Sequence, residues 1–259
     1  MTRYGLRADK GFGQNFLVDR AALRAIVGAA ELVRTDTVLE VGPGLGVLTR
    51  ELAARAGHVV SVELDGRLLP VLAETLADLT NIEVVHGDGL EVDLSGFPES
   101  SVLVANLPYN VATPILVRVL ESGRFSRLVF LVQKEVAQRL FAPPGSPAYG
   151  ALSLIVAHFG VAKSVRDVPP GAFFPPPAVT SSVIRIMTRP GAKADPDLFR
   201  LIHQAFAHRR KTLKKNLLMA GYAAAQVTAA LEALAVDPRI RAERLGIDAF
   251  YTLQRTLGR

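Results

Sequence analysis

The feature that most constrains the fold is the run Val38-Leu-Glu-Val-Gly-Pro-Gly-Leu-Gly-Val-Leu-Thr49, a strand that passes through Gly42, Gly44 and Gly46 straight into a helical stretch. A backbone that turns this tightly and leaves its amides open to a ligand needs residues without a Cβ. Around this turn, β-branched runs alternate with amphipathic segments, the pattern of an α/β chain with a parallel sheet and helices on both faces. The runs are 38–41, 59–63, 82–86, 102–105, 128–132, 152–158 and 183–187, which predicts seven strands. Asp19 is placed to cap a helix over 20–30, where Leu23, Ile26 and Val27 recur at helical spacing. A second boundary lies at Arg189-Pro190-Gly191, and Asp195-Pro196 then reads as a cap followed by proline at the first helical position. The expected organisation is an α/β domain over 1–189 and a small all-helical domain over 190–259.

Composition narrows the function classes. Of the 259 residues, 49% are apolar and 21% charged, a balance that builds a core and excludes a disordered chain. Cysteine is absent, which excludes a disulfide scaffold, a thiolate metal site and a thiol nucleophile. Arg3, Arg7 and Lys10 are not followed by an apolar stretch, so the start does not read as a secretory signal. The weakly polar stretch 217–231 contains Gln226 and Thr228 and falls short of a membrane span. A cytoplasmic protein with no membrane association is expected. The net charge of +6 is unevenly placed: residues 1–189 carry 18 basic and 18 acidic side chains, residues 190–259 carry 12 and 6.

The glycine turn is not a dinucleotide fingerprint, because position 47 is Val47 where that pattern needs its third glycine. Glu63 ends the next strand, where a carboxylate can accept from both hydroxyls of an adenosine ribose. Asp88, in His86-Gly-Asp-Gly89, is placed to accept from an adenine amino group, although Gly-Asp-Gly is also ordinary turn chemistry. Carboxylates at the ends of successive strands point into the ligand crevice of such a sheet, so the expected ligand contains adenosine.

The fourth strand ends in Asn106-Leu-Pro-Tyr109. An exocyclic amine on a base is a poor nucleophile because its lone pair is delocalised into the ring. Two acceptors, the Asn106 side-chain oxygen and the carbonyl of Leu107 or Pro108, would hold both N–H groups and aim the lone pair at an electrophile. Tyr109 offers a face for stacking. Neither a metal nor a strong base is needed if the electrophile is a methyl group on a sulfonium, since alignment and desolvation lower the barrier. Phe173-Phe-Pro-Pro-Pro177 is a stiff loop before the last strand.

Taken as one helix, 196–219 places Phe199, Ile202, Phe206, Leu213 and Leu217 in a stripe opposite Arg200, His208, Lys211 and Lys215. Arg209, Arg210 and Lys214 widen the cationic region. A surplus of charge confined to one small domain favours binding to RNA phosphates. His203 and His208 have no carboxylate at helical spacing, so no metal site is read there.

Together, Gly42-Pro-Gly-Leu-Gly46, Glu63, Asp88 and Asn106-Leu-Pro-Tyr109 resemble the S-adenosylmethionine-dependent rRNA adenine N6,N6-dimethyltransferases. Lys10-Gly-Phe-Gly-Gln-Asn-Phe-Leu17 looks like their N-terminal cofactor motif, and Phe173 to Ser181 like their target-base loop. Gln133-Lys-Glu-Val136 and Ala148-Tyr-Gly-Ala-Leu-Ser153 fit as well, and the likeness runs from about residue 8 to the C-terminus. Leu45 and Leu107 look more like the small-subunit (16S) enzymes than the macrolide-resistance, large-subunit methylases, which usually carry a basic residue and Ile there.

The resemblance implies a seven-stranded Rossmann-like S-adenosylmethionine-dependent methyltransferase fold. It also implies S-adenosyl-L-methionine as cofactor, held by Asn15, Leu17, Gly42, Gly44, Glu63, Asp88 and Asn106. It implies that Tyr109 and a phenylalanine of the proline loop sandwich the base, the spacing Phe-x-Pro-x-Pro favouring Phe173 over Phe174. The implied partner is 16S rRNA in an immature 30S subunit, met by a monomer. Competing readings are a large-subunit dimethylase, a DNA adenine methyltransferase, and a non-catalytic ribosome-assembly factor.

Overall fold

The computed structural model describes residues 13–258, so Lys10 to Phe12 of the N-terminal motif lie outside the described residues. A short strand β1 (Phe16–Leu17) leads into α1 (Arg20–Ala30), which begins where Asp19 accepts from the Ala22 amide at 2.6 Å. There follow β2 (Thr37–Val41), α2 (Val47–Ala53), β3 (His58–Glu63), α3 (Leu69–Thr75), β4 (Ile82–His86), β5 (Ser101–Asn106), α4 (Ala112–Glu121) and β6 (Phe125–Gln133). Next come α5 (Lys134–Leu140), α6 (Ala151–Phe159), β7 (Gly160–Val168), β8 (Phe173–Phe174) and β9 (Ser181–Thr188). The remainder is helical: α7 (Pro196–Phe206), α8 (Leu213–Met219), α9 (Ala224–Ala233) and α10 (Ile247–Leu257).

The main sheet has seven strands in the order β4-β3-β2-β5-β6-β9-β7. The first five are parallel, while β9 runs antiparallel to both β6 and β7, so the sheet is mixed and not parallel throughout. From β2 the chain winds outward through β3 and β4, then returns to lay β5 on the other side of β2. That reversal opens a crevice beyond the carboxyl ends of β2 and β5. β2 and β5 are buried along almost their whole length, as a sheet covered on both faces requires. The α1 face carrying Ala22, Ile26 and Ala30 and the α2 face carrying Leu48 and Leu52 pack on Val38, Val59, Val102 and Val104.

Three expectations are corrected. Residues 152–158 form not a strand but most of α6. This run is short and apolar all round, and periodicity does not separate a buried strand from a buried helix in such a run. The seventh strand is β7 instead, an edge strand whose exposed side chains mix valine with charge. Residues 196–219 are two helices: Thr212 caps α8 by accepting from the Lys215 amide at 3.3 Å. Buried Asn216 donates to the Ala205 carbonyl at 2.6 Å and the His208 carbonyl at 3.3 Å, which satisfies the end of α7.

The described residues divide into two compact units, those up to 137 with 160–192 and residues 138–159 with those from 193 onward. The expected boundary at 189 therefore shifts, because α6 is buried by helices of the second unit. Within that unit Phe159 and Phe199 meet at 5.6 Å between ring centroids, Phe206 stacks on Phe250 at 6.2 Å, and Tyr149 donates to the Leu245 carbonyl at 2.7 Å. Asp195 accepts from the Leu198 amide at 2.9 Å, with Pro196 at the first helical position.

Candidate functional site

One cavity gathers the strand ends of the first unit. It is lined by Asn15 and Leu17, by Gly42 and Gly44, by Glu63, Asp88 and Asn106, and by Leu107, Pro108 and Tyr109. Every residue expected to hold the cofactor thus lines a single cavity. Gly42, Gly44 and Gly46 all sit at positive φ, and a Cβ on Gly44 would come within 3.0 Å of the Phe16 ring. At Gly44 a side chain is thus strained by the backbone conformation and crowded by the Phe16 ring, which would have to give way.

Glu63 is buried and holds the floor of the turn: its carboxylate accepts from the Gly44 amide at 3.2 Å and the Asp65 amide at 2.9 Å. Burial raises its carboxyl above the usual range, opposed by those amides and assisted by the charge of Asp65. Asp65 is held down to about 2, chiefly by Arg67, whose guanidinium lies 2.8 Å away, and it also accepts from Gln14 of the cavity wall at 2.8 Å. Asp88 accepts from the Leu90 amide at 2.8 Å, so it serves its own turn while facing the cavity. Next to it, a Cβ on Gly89 would fall 2.5 Å from Val41, a close approach that the sequence reading missed although Gly-Asp-Gly signals it.

Asn106 is oriented by a contact across 91 residues of chain: its Nδ2 donates to the Asn15 carbonyl at 3.0 Å. A carbonyl can only accept, so the amide nitrogen must face Asn15, and Oδ1 is left for an incoming donor. The Pro108 carbonyl accepts from the Val111 amide at 3.2 Å and closes the turn into α4, which makes the Leu107 carbonyl the better candidate for the second acceptor. The Tyr109 hydroxyl is hydrogen-bonded to Ser181 Oγ at 2.6 Å, and burial raises the phenol above its usual value. Ser181 had been given no separate role from sequence, although it closes the target-base motif. It ties Tyr109 to the end of the proline loop.

The proline loop bears on the choice between the two phenylalanines. β8 pairs antiparallel with β1, Phe174 opposite Phe16 and Phe173 opposite Leu17. The partners of both phenylalanines, Phe16 and Leu17, line the cavity, so burial and not pairing separates the two: Phe173 packs into the core at 3% exposure. Phe174 is 59% exposed. Stacking by Phe173, the residue its spacing favoured, would require its ring to leave that packing. Neither phenylalanine lines the cavity itself.

The remaining motif residues play structural parts. Lys134 pairs with Asp167 at 2.6 Å, Ser153 Oγ donates to the Arg139 carbonyl at 2.6 Å, and burial pushes the Tyr149 phenol up to about 12. Of the expected phosphate-binding side chains, Arg200, His208, Arg209, Arg210 and Lys215 are exposed, and Lys211 and Lys214 are partly so. Arg200 pairs with Asp197 at 2.8 Å, and Arg209 donates to the Pro147 carbonyl, so these two are partly engaged already.

The family model of ribosomal RNA adenine dimethylase matches residues 5–257. A Deinococcus radiodurans protein named ribosomal RNA small subunit methyltransferase A is 45% identical, over 100% of this chain and 88% of its own length. A protein of the same name from Lactiplantibacillus plantarum is 42% identical over 99% of this chain and 92% of its own. Among solved structures, a dimethyladenosine transferase from Plasmodium falciparum matches with a TM-score of 0.81 at 27% identity, covering 94% of this chain and 98% of its own. The 23S rRNA methyltransferase ErmE matches with a TM-score of 0.75 at 29% identity, covering 95% of this chain and all of its own.

Proposed function

The chain belongs to the ribosomal RNA adenine dimethylase family, and from that premise we propose that it methylates N6 of two adjacent adenosines in a hairpin near the 3′ end of 16S rRNA. The small-subunit name of the full-length relatives favours this over a large-subunit target. The observation that carries the chemistry is the Asn106 amide, whose nitrogen is tied to the Asn15 carbonyl, which leaves its oxygen as the acceptor that this cavity-lining residue can offer.

The residues present suit S-adenosylmethionine. Glu63 offers a buried carboxylate for ribose hydroxyls, Asp88 an acceptor for the adenine amine, and the bare backbone at Gly42 and Gly44 admits close approach. The bound cofactor supplies a methyl group on a positively charged sulfur. Asn106 Oδ1 and the Leu107 carbonyl accept the two N–H groups of the target amine, which orients its lone pair. Pro108 stiffens the peptide that carries this carbonyl, and its ring lies 3.6 Å from where a Cβ on Gly42 would stand. Tyr109, anchored by Ser181, presents one stacking face. Alignment and exclusion of water by the apolar walls then do most of the catalytic work. Incubation with labelled S-adenosylmethionine and unmodified small subunits should label adenine N6, and label elsewhere would refute the assignment.

For the other stacking face we favour Phe174. Phe174→Ala should lower activity on RNA about tenfold with stability changed by less than about 1 kcal/mol, as expected for a lost stacking contact. Phe173→Ala should instead cost about 3–5 kcal/mol of stability, the usual loss for a buried phenylalanine. Thermal unfolding and methyl-transfer rates measured on both variants decide this. The reverse pattern would return the stacking role to Phe173.

The partner is taken to be 16S rRNA in an immature 30S subunit, bound by a monomer in the cytoplasm. Among the described residues no helix is long and apolar enough to cross a membrane. If about five of the basic residues of α7, α8 and their connection meet phosphates, log K should fall with log salt at a slope of roughly −4. Arg210→Ala with Lys215→Ala should make that slope shallower by about 1.5. An unchanged slope would move the RNA contact elsewhere. Truncation after Arg189 is a poorer test, because it would strip α6 of the helices that bury it.

A further inference from the structure

Glu40 is a carboxyl that the mechanism above leaves unused. It lies on β2, lines the same cavity, and is 1% exposed. Its Oε2 accepts from Thr49 Oγ1 of α2 at 2.6 Å and from Ser61 Oγ of β3 at 2.8 Å. Its Oε1 is buried with no hydrogen-bond partner among the described residues. An orphaned acceptor in a buried carboxylate is costly unless a proton or a cation completes it. The charged group that acts on it is Glu63, which lies two residues beyond Ser61 on β3, and the other carboxylate lining the cavity is Asp88. Thr49 and Ser61 favour the charged form, while burial and Glu63 oppose it.

We propose that Glu40 is a proton-exchanging counter-charge of this cavity, holding its proton more tightly when the cavity is empty than when a cationic ligand fills it. The inference rests on the reading of the cavity as the S-adenosylmethionine site. That cofactor carries a sulfonium and an ammonium against one carboxylate, whereas its demethylated product, S-adenosylhomocysteine, has lost the sulfonium charge. Only the former brings a net positive charge beside Glu40. On binding, the Glu40 O–H bond breaks and the proton passes to the buffer. After methyl transfer the sulfur is neutral, and the carboxylate regains a proton from water. Raising the pH therefore favours the methyl donor over the spent product, and lowering it removes the preference. Burial pushes the carboxyl up to about 7, which puts the change in the range where the protein would work. The consequence is a built-in preference for exchanging product for fresh cofactor between successive methylations.

The test is calorimetric titration of the full chain with S-adenosylmethionine and, separately, S-adenosylhomocysteine, in buffers of different ionisation enthalpy. At pH 7 the native protein should release about a quarter to two-fifths of a proton with the first ligand and clearly less with the second, since a group near its midpoint is half ionised before binding. The ratio of the two affinities should rise roughly two- to fivefold between pH 6 and pH 8, the change expected for a downward shift of about half to one pH unit on binding. In Glu40→Gln the difference in proton release should vanish and the ratio should be flat. Equal proton release for both ligands in the native protein, or a difference that survives in Glu40→Gln, overturns the proposal while leaving the cofactor reading intact. Failure of both ligands to bind the native protein overturns the two together. Ser61→Ala serves if Glu40→Gln does not fold. It removes a donor that favours the ionised form, so the midpoint must move upward, and an unmoved midpoint also overturns the proposal.

Discussion

Replacing Asn106 with alanine should lower the rate of methyl transfer by about two to three orders of magnitude, the usual cost of losing one preorganised group at the reacting centre. The strand end itself tolerates the change, since Asn106 is only partly buried and Ala is compatible with the backbone there. Stability should fall by about 1–2 kcal/mol as the Asn15 carbonyl loses its donor. Asn106→Asp is the sharper control. It keeps Oδ1 but replaces the donor to Asn15 by a second acceptor, so two oxygens face each other and the side chain must turn away. Both variants should bind RNA normally in a salt titration and fail in single-turnover transfer. Activity of either variant within threefold of native would remove Asn106 from the mechanism.

Replacing Glu63 with alanine should weaken cofactor binding by about 10²- to 10³-fold, because on the proposed reading two hydrogen bonds from ribose hydroxyls to a charged acceptor are lost at once, each worth about 1.5–3 kcal/mol. The same carboxylate also holds the Gly44 and Asp65 amides, so the glycine turn loses its internal acceptor. The pH dependence has a definite sign. Burial raises the Glu63 carboxyl, so in the folded chain the proton returns at a higher pH than in the unfolded chain. As pH falls through that raised value, Glu63 becomes neutral and cofactor affinity drops. In the empty protein the same shift favours folding on the acid side and is lost as pH rises and the buried group ionises. Calorimetric titration of native protein and Glu63→Ala between pH 4 and pH 8 separates the two. An acid-side loss of affinity that persists in the variant belongs to another group.

What could be read in the residues was local. Three glycines at a strand-to-helix junction announce a turn that admits a ligand, and an acidic residue at the next strand end offers an acceptor for hydroxyls. The tetrapeptide at Asn106 carries its chemistry in its own residue types. Each of these signals depends on a few neighbouring residues, and Gly42, Gly44, Glu63 and Asn106 to Tyr109 line the cavity as expected. The run 152–158 misled because a short apolar stretch packs as well in a helix buried on all sides as in a strand. The strand β7 was missed because an edge strand with charge on its open side lacks the apolar signal of its buried neighbours.

By itself, then, the sequence determined the α/β class and the residues that line the cavity, the tetrapeptide at Asn106 among them, because steric freedom, charge and acceptor geometry belong to individual side chains. Only the tertiary structure decided which way the Asn106 amide points, since that depends on a carbonyl 91 residues away. It also turned Phe173 inward and left Phe174 open, in a short strand that carries no strong signal of its own. It left Glu40 with one satisfied oxygen and one orphan, because Thr49 and Ser61 reach it from separate elements. Burial and long-range hydrogen bonds are properties of the assembled core, and no window of sequence contains them.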